Sequence, residues 1–428
     1  MQNFENEQKQ NTISAKIKDF LKRKNPTEYF IAIMILSIVI FGVFSILKGV
    51  NHLRSLFFLD GKDAFMDFFN SVRDASVYSG AYTDRNVIYP PMANLLFLLF
   101  NLIIPDAYTN TDFTQRQTWM NYPLCIVAIA IFVVITITLY LFVFSRETKF
   151  IKKGRFIFCI FLILNVPIFH LVERANIIIL STTCAVFFLF NYDSENRVLK
   201  ELSLILLAFS FSLKLYPAVL GWVLVCDKKY KEIIRLVIYA LLMLIIPSFF
   251  FGGPKCIWWM IENIINFSKI RVGYDDVIVE NIQKIGFSQV ILKVYQIFTL
   301  IASVICIITF LVSSFFIKDK WKLLLFACSA FFSIPPVTAL YGWIIFFVPL
   351  FLFLKTEKLE GINWIYFFLM ILPFTFIPEI ISLDFLQNAP TYNSLITKAS
   401  SIILVFVLCF DGIYTIVKSK KDGKKESV

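Results

Sequence analysis

Long apolar blocks separated by short basic segments limit what this chain can fold into. They lie near residues 29–47, 122–144, 156–169, 176–192, 202–213, 216–226, 236–251, 291–316, 323–334, 341–354, 362–380 and 399–417. About 20 apolar residues in a helix cross the roughly 30 Å hydrocarbon core of a bilayer. Inside lipid the backbone must satisfy its own hydrogen bonds, so the blocks are expected as helices. The pattern predicts an all-α, polytopic integral membrane protein with about twelve spans. Prolines at 167, 217, 247 and 349 predict kinks or helix ends. The composition agrees, with 58% hydrophobic and 17% charged residues, against about half and about a quarter in soluble domains. The polar residues 1–28 are too long for the basic start of a signal peptide, so block 29–47 is expected to be the first span.

The basic residues choose an orientation. With residues 1–28 inside, the inner segments are 1–28, 145–155, 193–201, 227–235, 317–322, 355–361 and 418–428. They hold 27 of the 41 lysines and arginines, as expected of cytoplasmic segments. Both termini are therefore expected in the cytoplasm, flanking a transmembrane domain over 29–417. The net charge of +11 reads as topology and attraction to the bilayer, with no nucleic-acid partner. Residues 92–105 are too short to cross, and a crossing there would put the basic 145–155 segment outside. Residues 48–121 are thus expected to form one extracytoplasmic loop, with 92–105 lying on or dipping into the surface.

The eight cysteines, at 125, 159, 184, 226, 256, 306, 328 and 409, form no C-x-x-C pair. That pattern predicts packing residues rather than a zinc site or a disulfide framework. With two histidines, His52 and His170, a His-rich metal site is excluded.

Under this topology the unusual polar motifs gather on the outer face. The first loop holds Asp60, Asp63, Asp67, Asp74 and Asp84, then Tyr89-Pro90-Pro91. The next outer turns carry Glu173-Arg174-Ala175-Asn176 and Lys214-Leu215-Tyr216-Pro217. Later ones carry Trp258 and Trp259, then Pro335-Pro336 and Tyr341. Each has an ordinary reading: solvated loop acids, a rigid helix entry at the prolines, a snorkelling lysine, interfacial aromatics. Glu173 and Arg174 fit that reading least, because ionisable groups in so short a turn beside lipid tend to be paired or functional.

The ordered set Asp67-Phe68-Phe69, Tyr89-Pro90-Pro91, Glu173-Arg174-Ala175-Asn176 and Lys214-Leu215-Tyr216-Pro217 resembles the GT-C glycosyltransferases of glycosyltransferase family 87. These include polyprenyl-phosphate-mannose-dependent mannosyltransferases. Ala175 stands where the family's turn usually has glycine. The resemblance implies a carboxylate in the first outer loop as catalytic base and a sugar donor carried on a polyprenyl phosphate. Asp67 fits the base position best, with Asp63 as the alternative.

The expected reaction is an inverting transfer of a hexose or pentose to a glycan or glycolipid acceptor. One positioned carboxylate takes the acceptor proton. Arg174 and Lys214 are expected to hold the leaving phosphate, and Tyr89, Glu173, Asn176, Tyr216 and Tyr341 to line the substrate pocket. Asp60, Asp63 and Asp67 have the chemistry to ligate Mg²⁺ or Mn²⁺. The donor carries a single phosphate, and the expectation is no metal and no other cofactor. The rival classes are a lipid-linked oligosaccharide flippase or transporter and a polysaccharide polymerase. The absence of an internal repeat and the gathering of charged residues at one face weigh against transport; Asp411, the clearest acid within a span, lies near the inner end of the last block. The late loop 252–290 has no histidine, which weighs against a polymerase.

Overall fold

The computed structural model describes residues 25–49, 52–53, 56, 64–104, 119–151, 154–271, 289–332, 340–379 and 392–425. Asp60, Asp63, the Pro335-Pro336 turn and residues 272–288 lie outside the described residues. Helices carry the fold: α1 (Pro26–Lys48), α2 (Met66–Ser76), α3 (Pro91–Asn101), α4 (Pro123–Glu147) and α5 (Arg155–Phe161). They continue as α6 (Val166–Arg174), α7 (Ile178–Asn191), α8 (Arg197–Leu213), α9 (Tyr230–Ser248) and α10 (Lys255–Arg271). The last are α11 (Gln289–Ser313), α12 (Lys320–Phe332), α13 (Phe347–Thr356), α14 (Asn363–Ile371) and α15 (Tyr392–Lys425).

The helices begin and end where the sequence chemistry allows. Asn25 accepts the Thr27 N–H at the start of α1, Pro26 fills its first position, and Gly49 closes it with φ +79°. Asn196 does the same for α8, accepting from Val198 and Leu199. Such caps satisfy donors that the helix leaves open. Pro91 and Pro167 sit in the first positions of α3 and α6, where a missing N–H costs nothing. Pro247 ends α9, which runs into a 3-10 turn at Phe249–Phe251.

Among the described residues four helices are long and apolar enough to cross a membrane: Pro26–Lys48, Pro123–Phe150, Tyr230–Phe251 and Leu395–Ser419. Their outward apolar faces, such as Ile234, Val237, Ile238 and Leu241 on α9, are exposed. Helices α5 and α6 pass the same test only as a pair, bent by 47° at the break between them. The expected block 156–169 is therefore a broken helix reaching on to Arg174. Several other expected spans are short helices, including α7 and α14. The eleven residues of α3 rise about 16 Å, half a bilayer core. Asn101 and its neighbours end α3 well short of a crossing.

Two apolar clusters hold the bundle. The larger joins α1, the end of α4, α5 to α8 and α12 to α14 around Phe30, Phe144, Phe158, Phe347 and Phe351. The smaller joins α2, α3, the start of α4 and α10 around Phe68, Phe69, Phe97 and Phe132. Phe68 meets Phe97, Phe100 and Phe132 at 5.1 to 6.0 Å between centroids, a spacing that favours aromatic pairs. Helices α7 and α8 are stitched by Ser181 and Ser210, each hydroxyl donating to the other's carbonyl at 2.8 and 2.7 Å. Small residues allow that close approach. All eight cysteines are free thiols, six of them buried.

The turns segregate to two ends of the bundle. At one end Tyr192 donates to Asp227, Lys320 donates to Tyr192, and Lys229 pairs with Asp193. Lys355 pairs with Glu147 at 3.5 Å and Trp321 donates to Glu357. Asp411 is answered by Lys322 at 2.8 Å and the Tyr366 hydroxyl at 2.7 Å, so this acid is a paired structural group. The opposite end collects the turns around residues 65, 89, 175 and 214.

His52 ties α1 to the segment before residue 380. Its Nε2 accepts the Glu379 N–H at 3.0 Å, so Nδ1 carries the proton and donates to Ser45 Oγ at 2.9 Å. That network needs neutral imidazole, and burial followed by the Lys48 charge lowers the His52 pKa, against a smaller pull from Glu379. A depressed histidine contributes stability present above the unfolded pKa near 6.5 and lost as pH falls below it, because the unfolded chain then binds more protons. Thermal unfolding should therefore shift to lower temperature between about pH 7 and pH 5. The shift should be shallower in His52→Asn. Equal slopes in the two proteins would remove His52 as the cause.

Candidate functional site

The site lies at the seam between the two apolar clusters, where the ends of α6 and α8 meet the starts of α2, α3 and α7. Asp67 is in the first turn of α2, where the helix dipole favours a carboxylate. Its Oδ1 accepts from Arg174 Nη2 at 2.5 Å and its Oδ2 from Asn176 Nδ2 at 2.6 Å. The Asp67 and Arg174 side chains are 14% and 12% exposed, so the pair sits in a niche shielded from most solvent. Arg174 is in the last turn of α6 and Lys214 follows the end of α8. Both are helix C-termini, where a cation is favoured.

Asn176 is oriented by the backbone. Its Oδ1 accepts the Ile178 N–H at 3.0 Å, starting α7, so its amide NH₂ must face Asp67 and, at 3.3 Å, the Tyr89 hydroxyl. The turn holding it is strained. Ala175 adopts φ +47°, ψ +48°, with its N–H on Val172 and that of Asn176 on Leu171. Phe65, just before α2, is also left-handed at φ +58°. Its N–H donates to the Glu173 carbonyl at 2.6 Å, which locks the entry of α2 to the end of α6. Two left-handed non-glycine residues flanking one carboxylate place strain where geometry has to be held.

The left-handed region costs a residue with a Cβ about 1–2 kcal/mol, partly offset by the greater unfolded-state freedom of glycine, about 0.5–1 kcal/mol. Ala175→Gly is therefore expected to raise the thermal midpoint by about 1–2 °C while preserving activity. A midpoint that falls would show that the Ala175 methyl, 1% exposed, contributes more by packing than the strain costs.

Tyr89 is placed from behind. Its carbonyl accepts the Tyr82 hydroxyl at 2.8 Å, which in turn accepts from Asn94 Nδ2 at 2.8 Å. Asn263 on α10 donates to the Tyr82 and Val87 carbonyls at 2.9 and 3.1 Å. Lys214 Nζ lies 4.2 Å from the centre of the Tyr89 ring and 5.9 Å from that of Tyr216, a cation held over aromatic faces. Burial, then the Asp67 carboxylate, then Tyr341 push the Tyr89 phenol well above its ordinary pKa. It therefore stays protonated and serves as a hydrogen-bonding group. Tyr216 lies within electrostatic range of Tyr341, Tyr89 and Asp67.

Of the residues expected from sequence, Asp67, Arg174, Asn176, Tyr89, Lys214, Tyr216 and Tyr341 come together. Glu173 contributes its backbone carbonyl, while its carboxylate turns towards His170 Nδ1 at 3.7 Å. Asp63 lies outside the described residues. Asp74 pairs with its neighbour Arg73 at 2.6 Å. Trp258 is exposed and donates to Glu262, and Trp259 carries Lys255 at 5.3 Å over its ring; neither contact involves the niche. Asn263, Tyr82 and Asn94 went unnoticed in the sequence, where single polar residues in apolar helices carry no signal of what they hold. Among the described residues no group of three or more His, Cys, Asp or Glu gathers as metal ligands do.

Nothing among curated proteins or solved structures matches the chain. The model of glycosyltransferase family 87 matches residues 87–334. That stretch is more than half the chain and carries Tyr89, Glu173, Arg174, Asn176, Lys214 and Tyr216, while Asp67 and Tyr341 lie on either side of it. The chain belongs to glycosyltransferase family 87, and it is a membrane glycosyltransferase.

Proposed function

We propose that this glycosyltransferase moves a sugar from a polyprenyl-phosphate donor to a glycan or glycolipid acceptor with inversion, using Asp67 as general base. The observation that carries the reading is the pairing of one largely buried carboxylate, Asp67, with Arg174, beside a second cation, Lys214, over the ring of Tyr89. The acceptor hydroxyl gives its proton to Asp67 as its oxygen bonds the anomeric carbon. The bond from that carbon to the phosphate oxygen breaks on the opposite face. The lipid phosphate leaves as an anion and needs no proton. Arg174 and Lys214 stabilise the charge it gains, which is worth most in a site poor in water. Asp63 is the alternative base.

The proposed setting is a chain crossing the plasma membrane of a bacterium about twelve times, with both termini cytoplasmic and the niche extracytoplasmic. The distribution of basic residues supports this: the turns that meet through Asp193, Asp227, Glu147 and Glu357 are the lysine-rich ones.

The test is transfer by the purified full-length protein in lipid nanodiscs, with an envelope extract as acceptor. Labelled sugars would be offered on polyprenyl phosphate and on nucleoside diphosphates. Transfer from the lipid donor alone is expected. Transfer from a nucleotide sugar alone would overturn the donor assignment.

A further inference from the structure

At the end of the bundle away from Asp67, an open cavity of about 780 Å³ lies between the first turns of α8 and α9. Arg197, Val198, Lys200, Glu201, Leu202 and Ile205 of α8 form one wall, and Glu232 and Arg235 of α9 the other. Lys200 is separated from Lys214, beside the catalytic niche, by nearly the whole of α8, roughly 20 Å at 1.5 Å per residue.

The charges in this cavity do not cancel. Arg235 is already paired with both carboxylates, Glu201 and Glu232, and Glu201 also accepts the Tyr239 hydroxyl. Arg197 is exposed and Lys200 half-exposed, and neither forms an ion pair among the described residues. Asp193 lies within electrostatic range of Lys200 but is bonded to Lys229. The first N–H groups of α8 are taken by the Asn196 side chain, so the attraction comes from the two side chains and not from the helix end.

The cavity also has a direction. Along α8 the lining changes from Arg197 and Lys200 near the start of the helix to Leu202 and Ile205 one to two turns on. Along α9 the exposed surface changes from Glu232 and Arg235 to Val237, Ile238, Leu241 and Leu242. A free phosphate would use only the charged end. An amphiphile with an anionic head uses the whole length, its head on the cations and its chains against the apolar surface that continues along α9.

We infer that this cavity is a binding site for one anionic phospholipid of the bilayer leaflet opposite the catalytic niche, its phosphate held by Arg197 and Lys200. The inference stands apart from the donor and mechanism proposed above, because the two sites share no residue.

Native mass spectrometry of the full-length protein tests it. The protein would be released from micelles doped with equal phosphatidylglycerol and phosphatidylcholine. One retained phosphatidylglycerol is expected, favoured at least tenfold, and Arg197→Gln with Lys200→Gln should remove that preference. A charge-matched control, Lys318→Gln with Lys358→Gln, should keep it. Gel filtration and thermal unfolding confirm that both variants are folded. Equal retention of the two lipids would reduce the cavity to an apolar groove and overturn the proposal. Loss of preference in the control as well would show diffuse surface charge, which also overturns it. Displacement of the lipid by millimolar inorganic phosphate would mark a free-anion site instead of a lipid site.

Discussion

Asp67→Asn is expected to lower the rate of sugar transfer by about 10²- to 10⁴-fold, the usual contribution of a positioned general base. The substitution keeps the shape of the side chain and removes its capacity to accept the acceptor proton. It also disturbs the resting contacts, since the neutral side chain no longer balances the charge of Arg174 and must accommodate the Asn176 amide. Donor binding and thermal stability must therefore be measured beside turnover. The expected pattern is a collapse in kcat with donor affinity changed by much less. Wild-type turnover in the variant would remove Asp67 from the chemistry and point to Asp63, tested by the same substitution. A protein that unfolds or loses donor affinity in proportion would make Asp67 an organiser of the niche.

The second large effect concerns Arg174. The structure pairs it with the base itself, whereas the proposed reaction needs it on the phosphate. A guanidinium has five N–H donors in a fixed fork, and a phosphate arriving within reach competes with Asp67 for the same group. Donor binding would then loosen the grip on Asp67 just when a free base is required. Arg174→Gln is expected to weaken donor binding at least tenfold and to cost stability, because breaking a largely buried pair leaves its partner charge uncompensated, about 3 kcal/mol or more. Arg174→Lys keeps the charge but not the fork and should recover part of the stability and little of the donor affinity. A double-mutant cycle separates the roles. On the Asp67→Asn background, Arg174→Gln still weakens donor binding if the guanidinium touches the phosphate. If it acts only by holding Asp67, the second substitution changes donor binding no further.

How much of this could be read from the sequence differs by element, for physical reasons. Apolar blocks marked the helices closely because burial in lipid or in a bundle demands the same residues. The same blindness explains the spans. A half-length helix packed on its neighbours, such as α7 or α14, is as apolar as one facing lipid, so block composition gives helices without giving crossings. The 47° break between α5 and α6 was legible, because Pro167 marks a kink or helix end in the sequence and Asn165 caps α6 at that point. The niche was legible because ionisable groups in apolar surroundings are costly and stand out: Asp67 and Arg174 meet, and Lys214 lies over Tyr89 beside them. The direction of a side chain was not legible. Glu173 and Arg174 are adjacent, yet one faces His170 and the other Asp67, a difference set by the helical turn of α6 and the left-handed Ala175. The support for Tyr89 was equally silent, since Asn263 lies far away in sequence and acts through backbone carbonyls.

Asn176 joins two tasks in one planar group, and this restricts its replacement more than either task would. Aspartate could start α7 but would set a second negative charge against Asp67. Glutamine carries the same amide one methylene further out and cannot reach both the Ile178 N–H and the Asp67 carboxylate. Serine retains the cap and gives up the grip. In a saturation library at this codon, selection for a folded protein and selection for activity would each admit several substitutes, while the two applied together would leave the position nearly closed. The amide thus works as a linkage between a helix and a catalytic group, and mutational tolerance is where that linkage becomes visible.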